Sequence, residues 1–344
     1  MTTSCTAPDP SACAWDEGLH AAGGHLLQSW AWGELKRAAG WQVERRLVSQ
    51  SASTAMAQVL LRFKGPLSIA YIPRGPAISG DANSVLPELI RQIDHLCRSN
   101  HALGLIIEPD RPLGLTGTYK DLGFVRGAES LQPSRTVKVP LLEDDALLAQ
   151  MHQKNRYSVR LALRRGVEVE QVPASPDNLS LFYALLEETA ARNGFGVHQP
   201  AYYDCFMSLF GDDAALFFAK ANGAIAATGV AARFGEHGVY MYGASSTENR
   251  ADGAAFLLQY EAMRWARDRG ATTYDLWGIP PDDPTIAKGK PNQVTRSQGE
   301  DWRGLYTFKV RFGGEIVTYP PPMERRYHPL LMAAASRLTG LRGS

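Results

Sequence analysis

The sequence predicts an α+β protein in which one order of secondary-structure elements is used twice. Residues 42–139 and 214–319 each run through three strand-like segments, a long helix, a strand, a short helix and a strand. The two short helices end alike, in Leu122-Gly123-Phe124 and in Arg311-Phe312-Gly313-Gly314. A chain of 344 residues is also long enough for two domains that each bury a core.

In the first half, strands are expected at 42–48 (QVERRLV), 57–63 (AQVLLRF) and 67–72 (LSIAYI), from alternation and β-branched content. A helix over about 86–100 puts Leu86, Leu89, Ile90, Ile93 and Leu96 on one face. The apolar run 103–108 (LGLIIE) reads as a buried strand, followed by a short helix around Tyr119–Phe124 and a strand at 135–139. The second half gives strands at 214–220, 223–233 and 238–244, a helix at about 253–269, a strand at 272–277, a short helix at 304–311 and a strand at 315–319. Gly235-Glu236-His237-Gly238 forms a tight hairpin that leaves no room for an inserted arm. Residues 150–166 (QMHQKNRYSVRLALRRG) read as a connecting helix ended by Gly166. The expected domains are a flexible terminus at 1–20, a first domain at 21–145, a second at 146–325 and a tail at 326–344. Within the tail, 329–342 forms an amphipathic helix, docked on the body or attached to a membrane surface.

Hydrophobic and charged contents of 44% and 21% fit a soluble globular protein. The net charge of +1 excludes a wholesale basic coat for nucleic acid but allows a local patch. One such patch is the connecting helix, with Lys154, Arg156, Arg160, Arg164 and Arg165 and no acid before Glu168. Arg156, Arg160 and Arg164 recur every four residues on one face, either solvated and ion-paired or tracking phosphates. Cys5, Cys13, Cys97 and Cys205 lack metal-ligand spacing and read as thiols in a reducing cytoplasm, so no metal is expected. The first 20 residues have no signal-peptide core, and no apolar run approaches a membrane span, so the expected location is cytoplasmic.

Five segments carry candidate chemistry. In SWAWGELKRAAGW (29–41), Trp32, Leu35 and Ala39 face a core and Lys36 lies one turn beyond Trp32. In YIPRGPAI (71–78), Pro73 and Pro76 stiffen a connection and Gly75 permits close backbone approach, holding Arg74 in a salt bridge or near a pocket. LIIEPD (105–110) ends a strand in Glu108 and Asp110, which are solvated turn acids or acceptors for a proton or an incoming ammonium. Arg250-Ala251-Asp252-Gly253-Ala254-Ala255 is a weak match to the pyrophosphate-holding loop of acetyl-CoA-dependent acyltransferases. Phe308-Lys309 sets one ring and one cation before Gly313-Gly314, although Tyr306, Phe308 and Phe312 also suit a core.

Together with YMYGASS (240–246), TYDLWGI (273–279) and LYTFKVRFGGE (305–315), these segments resemble the FemABX family over roughly residues 27–320. The element order is that of a GNAT acyltransferase domain, so the resemblance implies two tandem GNAT-like domains in the compact, FemX-like form without a coiled-coil arm. It implies a peptidyltransferase that moves an amino acid from aminoacyl-tRNA onto the third-residue side-chain amine of a peptidoglycan stem peptide. The acceptor is UDP-MurNAc-pentapeptide or lipid II, and the latter would bring the protein to the inner face of the plasma membrane. The donor ester is already activated, so no cofactor is implied. By the same resemblance Lys36 contacts the precursor's diphosphate, Arg74 lines the first domain's cleft, and Glu108 (preferred) or Asp110 stands near the acceptor amine. In ETAARNGFGVHQPAYY (188–203), His198 occupies the place of a family arginine, while Tyr202 and Tyr242 match precursor-binding tyrosines. Phe308 and Lys309 match the pair near the terminal adenosine and the aminoacyl ester, and Arg156, Arg160 and Arg164 are the candidate tRNA surface. The alternatives are a CoA-dependent N-acyltransferase and a non-catalytic binding module for cell-wall precursors.

Overall fold

The computed structural model describes residues 10–111, 114–127, 130–247, 253–282, 302–329 and 331–332. The chain divides into two compact units, one of residues 1–132 with 319–344 and one of residues 133–318.

The first unit contains helices α1 (Pro10–Ala21), α2 (Trp30–Ala38), α3 (Ala82–Ser99) and α4 (Thr116–Asp121). Its strands are β1 (Gln42–Gln50), β2 (Ser53–Lys64), β3 (Leu67–Pro73), β4 (Ala77–Ser79), β5 (Ala102–Glu108), β6 (Val125–Arg126) and β14 (Met323–Arg326). They run in the order β1-β2-β3-β5-β14-β6, with β4 on β2. β1, β2 and β3 are antiparallel, as adjacent short-turn strands must be, whereas β5 returns parallel to β3 after the α3 crossover. Asp81 caps α3 by accepting the Asn83 N–H at 3.0 Å, and Leu86, Leu89, Ile90, Ile93 and Leu96 are buried as the periodicity requires. Every residue of β5 is buried. Each such Leu or Ile contributes about 1.5–3 kcal/mol through burial.

The second unit contains α5 (Asp144–Gln150), α6 (Gln153–Arg164), α7 (Pro176–Asn193), α8 (Pro200–Phe210), α9 (Ala254–Arg267) and α10 (Trp302–Val310). Its strands are β7 (Arg135–Pro140), β8 (Glu168–Val172), β9 (Ala214–Ala221), β10 (Ala224–Phe234), β11 (His237–Ser245), β12 (Thr273–Asp275) and β13 (Glu315–Thr318). The sheet order is β13-β7-β12-β11-β10-β9-β8. β10 passes into β11 through Gly235 and Glu236, with Phe234 opposite His237, so the hairpin is as short as expected and carries no arm. Leu257, Leu258, Ala262 and Met263 of α9 pack in one core with Val137, Val139, Phe217 and Tyr274.

Four expectations need correction. Residues 10–20 are not frayed: α1 buries Trp15 and Leu19, and Trp15 Nε1 donates to the Gln28 carbonyl at 2.9 Å. The connecting helix is interrupted at Met151-His152, where His152 Nδ1 accepts the Lys154 N–H at 3.2 Å and starts α6 afresh. The halves do not separate at residue 145 or 325, because β7, the last strand of the first half in sequence, lies in the second sheet, and β14 follows the second half yet lies in the first. β8, α7 and α8 are additions to the repeated order. Most of the 329–342 tail lies outside the described residues.

Candidate active site

Lys309 sits in the last turn of α10 and is 5% exposed. Its Nζ donates to the carbonyls of Trp277 and Gly278 at 3.2 and 2.9 Å, and lies 5.8 Å from the centre of the Tyr240 ring. Burial pushes the ammonium down to about 8, with the Asp275 carboxylate acting in the opposite sense. It therefore remains mostly charged at neutral pH while being poorly hydrated. A cation held this way needs no reorganisation to meet negative charge developing on a reacting carbonyl oxygen. Phe308 packs between Phe256 and Phe312, at ring separations of 4.9 and 5.2 Å, so its role is partly that of a core ring shaping the Lys309 turn.

His198, Tyr202 and Tyr242 come together in the second unit. The His198 ring stacks on Tyr202 at 3.9 Å, and the Tyr202 and Tyr242 hydroxyls are hydrogen-bonded. Tyr203, which sequence reasoning missed, centres the group: its ring meets Tyr242 at 5.1 Å and its hydroxyl accepts the His198 N–H at 3.2 Å. Both tyrosines are adjacent in the sequence, so the signal was present but one helix turn of geometry was needed to assign them.

In the first unit Lys36 is 7% exposed, with its Nζ 4.8 Å from the Trp32 ring centre. Burial, reinforced by the Arg62 charge, lowers it to about 8. Arg74 is buried with its guanidinium stacked 3.3 Å from the Tyr319 ring centre. The two acids differ sharply. Glu108 accepts hydrogen bonds from the Tyr71 hydroxyl and from the Leu131 and Gln132 N–H groups, and burial raises its carboxyl above the usual range. That saturation ties the 131–132 turn to the end of β5. Asp110 instead has a buried Oδ1 with no hydrogen-bond partner among the described residues. Of the two carboxylates, that of Glu108 is the more fully hydrogen-bonded.

The basic helix divides its arginines. Arg156 donates to the Ala149 and Met151 carbonyls at 3.0 and 3.2 Å, satisfying the C-terminal end of α5. Arg160 and Arg164 are exposed, and Arg164 stands 5.7 Å from the ring of Tyr157, itself 58% exposed. Residues 250–252 of the CoA-like motif lie outside the described residues. At the motif's described end, a Cβ on Gly253 would come within 2.5 Å of the Ser158 carbonyl, so α6 covers the first turn of α9. Among the described residues no three His, Cys, Asp or Glu side chains gather as metal ligands would.

Two sheets of GNAT-like order, one carrying a buried lysine, define a tandem acyltransferase-type fold. The FemAB family model matches residues 19–118, 116–225 and 222–339, and the chain belongs to that family of transferases. It is 27% identical, over 84% of its length and 85% of the other, to the lipid II:glycine glycyltransferase of Staphylococcus aureus. The crystal structure of FemX superposes with a TM-score of 0.80 at 22% identity, covering 95% of this chain and 98% of that one. A tandem GNAT protein from the clavulanic acid biosynthesis pathway superposes at 0.52 with 11% identity, covering 83% of each chain.

Proposed function

We propose that this transferase moves an amino acid from the ester of an aminoacyl-tRNA to the side-chain amine of the third stem-peptide residue of a peptidoglycan precursor. Lipid II is the acceptor, with UDP-MurNAc-pentapeptide as its water-soluble counterpart. The observation that carries the reading is the buried, charged Lys309 held by two carbonyls in a chain of this family. Similarity along most of the chain to a lipid II:glycine glycyltransferase supports the acceptor class.

The amine lone pair attacks the ester carbonyl, a C–N bond forms, and the C–O bond to the ribose breaks as the amine proton is lost and the ribose hydroxyl leaves protonated. The Lys309 ammonium stabilises the oxyanion between these steps. Lys36 and Arg74 serve the acceptor's anionic groups and Asp110 its amine; His198, Tyr202 and Tyr242 serve the precursor in the second unit. Arg160 and Arg164, with Tyr157, offer the tRNA backbone two guanidiniums and a stacking ring. No helix among the described residues is long and apolar enough to cross a membrane, so a lipid-linked acceptor would be met by peripheral association at the inner face of the membrane. The test is transfer of radiolabel from mixed aminoacyl-tRNAs to lipid II and to UDP-MurNAc-pentapeptide. Label on either acceptor supports the reading and identifies the amino acid. Measurable CoA binding without any such transfer sinks it.

A further inference from the structure

Between β12 and α10 the backbone makes a turn whose conformation no residue preference explains. Trp277 has φ of +61°, a left-handed setting unfavourable for a bulky side chain. The turn is pinned at both ends, by Leu276 N–H to the Val137 carbonyl at 2.9 Å and Ile279 N–H to the Arg135 carbonyl at 3.0 Å. Gly278 is pressed against Pro133, where a Cβ would approach within 2.5 Å. One side chain sits at the centre of this arrangement. Asp275, 4% exposed, accepts the Trp277 N–H at 2.7 Å and the Thr136 hydroxyl on the same Oδ1. An aspartate bonding the backbone two residues on is the local device that holds such a turn. The turn's product is the pair of carbonyls, Trp277 and Gly278, that grip Lys309.

We propose that Asp275 is a positioning residue for Lys309: it holds the Trp277–Gly278 turn so that both carbonyls aim at the ammonium. Its carboxylate also opposes the effect of burial on that ammonium. This rests on the reading of Lys309 as the oxyanion-stabilising group. Besides Asp275 on β12, Tyr240 on β11 faces Lys309, and Lys138 on β7 stands beside Asp275 in the sheet. Burial holds the Tyr240 phenol above its ordinary range.

The two functions separate by substitution. Asp275→Asn keeps an oxygen for the Trp277 N–H but removes the charge; Asp275→Ala removes both. With the transfer assay, Asp275→Ala is expected to lower kcat by about 100-fold, the scale of losing one aligned donor, with KM for the acceptor little changed. Asp275→Asn is expected to keep more of kcat while its activity falls off at a lower pH than the parent's. A second readout needs no substrate: the lysine side-chain NMR titration of full-length protein, with the Lys309 signal assigned by its loss in Lys309→Met. That titration is expected to move to lower pH in both Asp275 variants. An unmoved titration, or an Asp275→Ala protein that folds and turns over like the parent, overturns the proposal. Absence of transfer in the parent itself would refute the transferase reading instead, while the NMR titration still decides what Asp275 does to Lys309.

Discussion

Lys309 and Lys36 are both buried cations lowered to about 8, yet they should respond differently to removal. Lys309→Met is expected to reduce kcat about 100- to 1,000-fold, the range for one oxyanion donor, with acceptor KM changed little; steady-state kinetics on the folded variant decides. Because the charged form is the active one, transfer should decline as pH rises through about 8. A rate that keeps climbing to pH 10 would contradict the role. Lys36→Met should instead raise acceptor KM and leave the thermal midpoint unchanged or higher. Its folded-state value lies below the unfolded one, so the charge penalises folding below pH 8, by roughly 3 kcal/mol, and the penalty fades as pH rises toward 10.5. A midpoint lowered by several degrees would mark Lys36 as structural. The two acids give a third contrast: Asp110→Asn should impair transfer without loss of stability. Glu108→Gln, which exchanges one of its bonded oxygens for an amide, should lower the thermal midpoint.

At the scale of elements, α6 separates structural from available charge. Reversing Arg160 and Arg164 to Glu should weaken tRNA binding and flatten its dependence on salt, read by fluorescence anisotropy over a salt series; equal affinity would remove α6 from the tRNA surface. Arg156→Ala should leave tRNA affinity near the parent's and destabilise the α5–α6 junction. The sequence made α3, β5 and the β9–β11 meander legible because one buried face or a fully apolar run dominates each. It also carried the signals for α7, Ser175-Pro176 at the start and Gly194 in the left-handed setting at the end, but its burial is spread too thinly for a clear stripe. The site residues were legible as types and not as partners. Spacing reveals that Lys309 follows a ring and precedes two glycines; it cannot reveal that Asp275, some thirty residues earlier, sets the carbonyls it meets. The same limit separates Glu108 from Asp110, whose difference is three hydrogen bonds made by residues 71, 131 and 132.

Over the whole molecule, the repeat seen in the sequence is real but its seam is not where composition placed it. Each sheet takes in a strand that chain order assigns elsewhere: β7, which ends the first repeat, lies in the second sheet, and β14, beyond the second repeat, lies in the first. A fragment of residues 133–318 should therefore unfold cooperatively by itself. A fragment of 146–325 lacks β7, the strand between β12 and β13, and should not; circular dichroism melts of the two distinguish them. Truncation after Thr318 should leave the second unit's melt intact and abolish that of the first, whose β5 and β6 lose the strand that joins them.

The late position of β14 also sets an order of events at the ribosome. Residue 126, the end of β6, is polymerised 197 residues before Met323, an interval of roughly 10–40 s at ordinary elongation rates. Throughout it, the nascent amino-terminal unit exposes two unsatisfied strand edges that only the last stretch of the chain can cover. The unit translated first is the one finished last. Bare edges held open that long invite pairing with neighbouring nascent chains, so a chaperone that shields β5 and β6 should raise the soluble yield of the full chain and not that of residues 133–318.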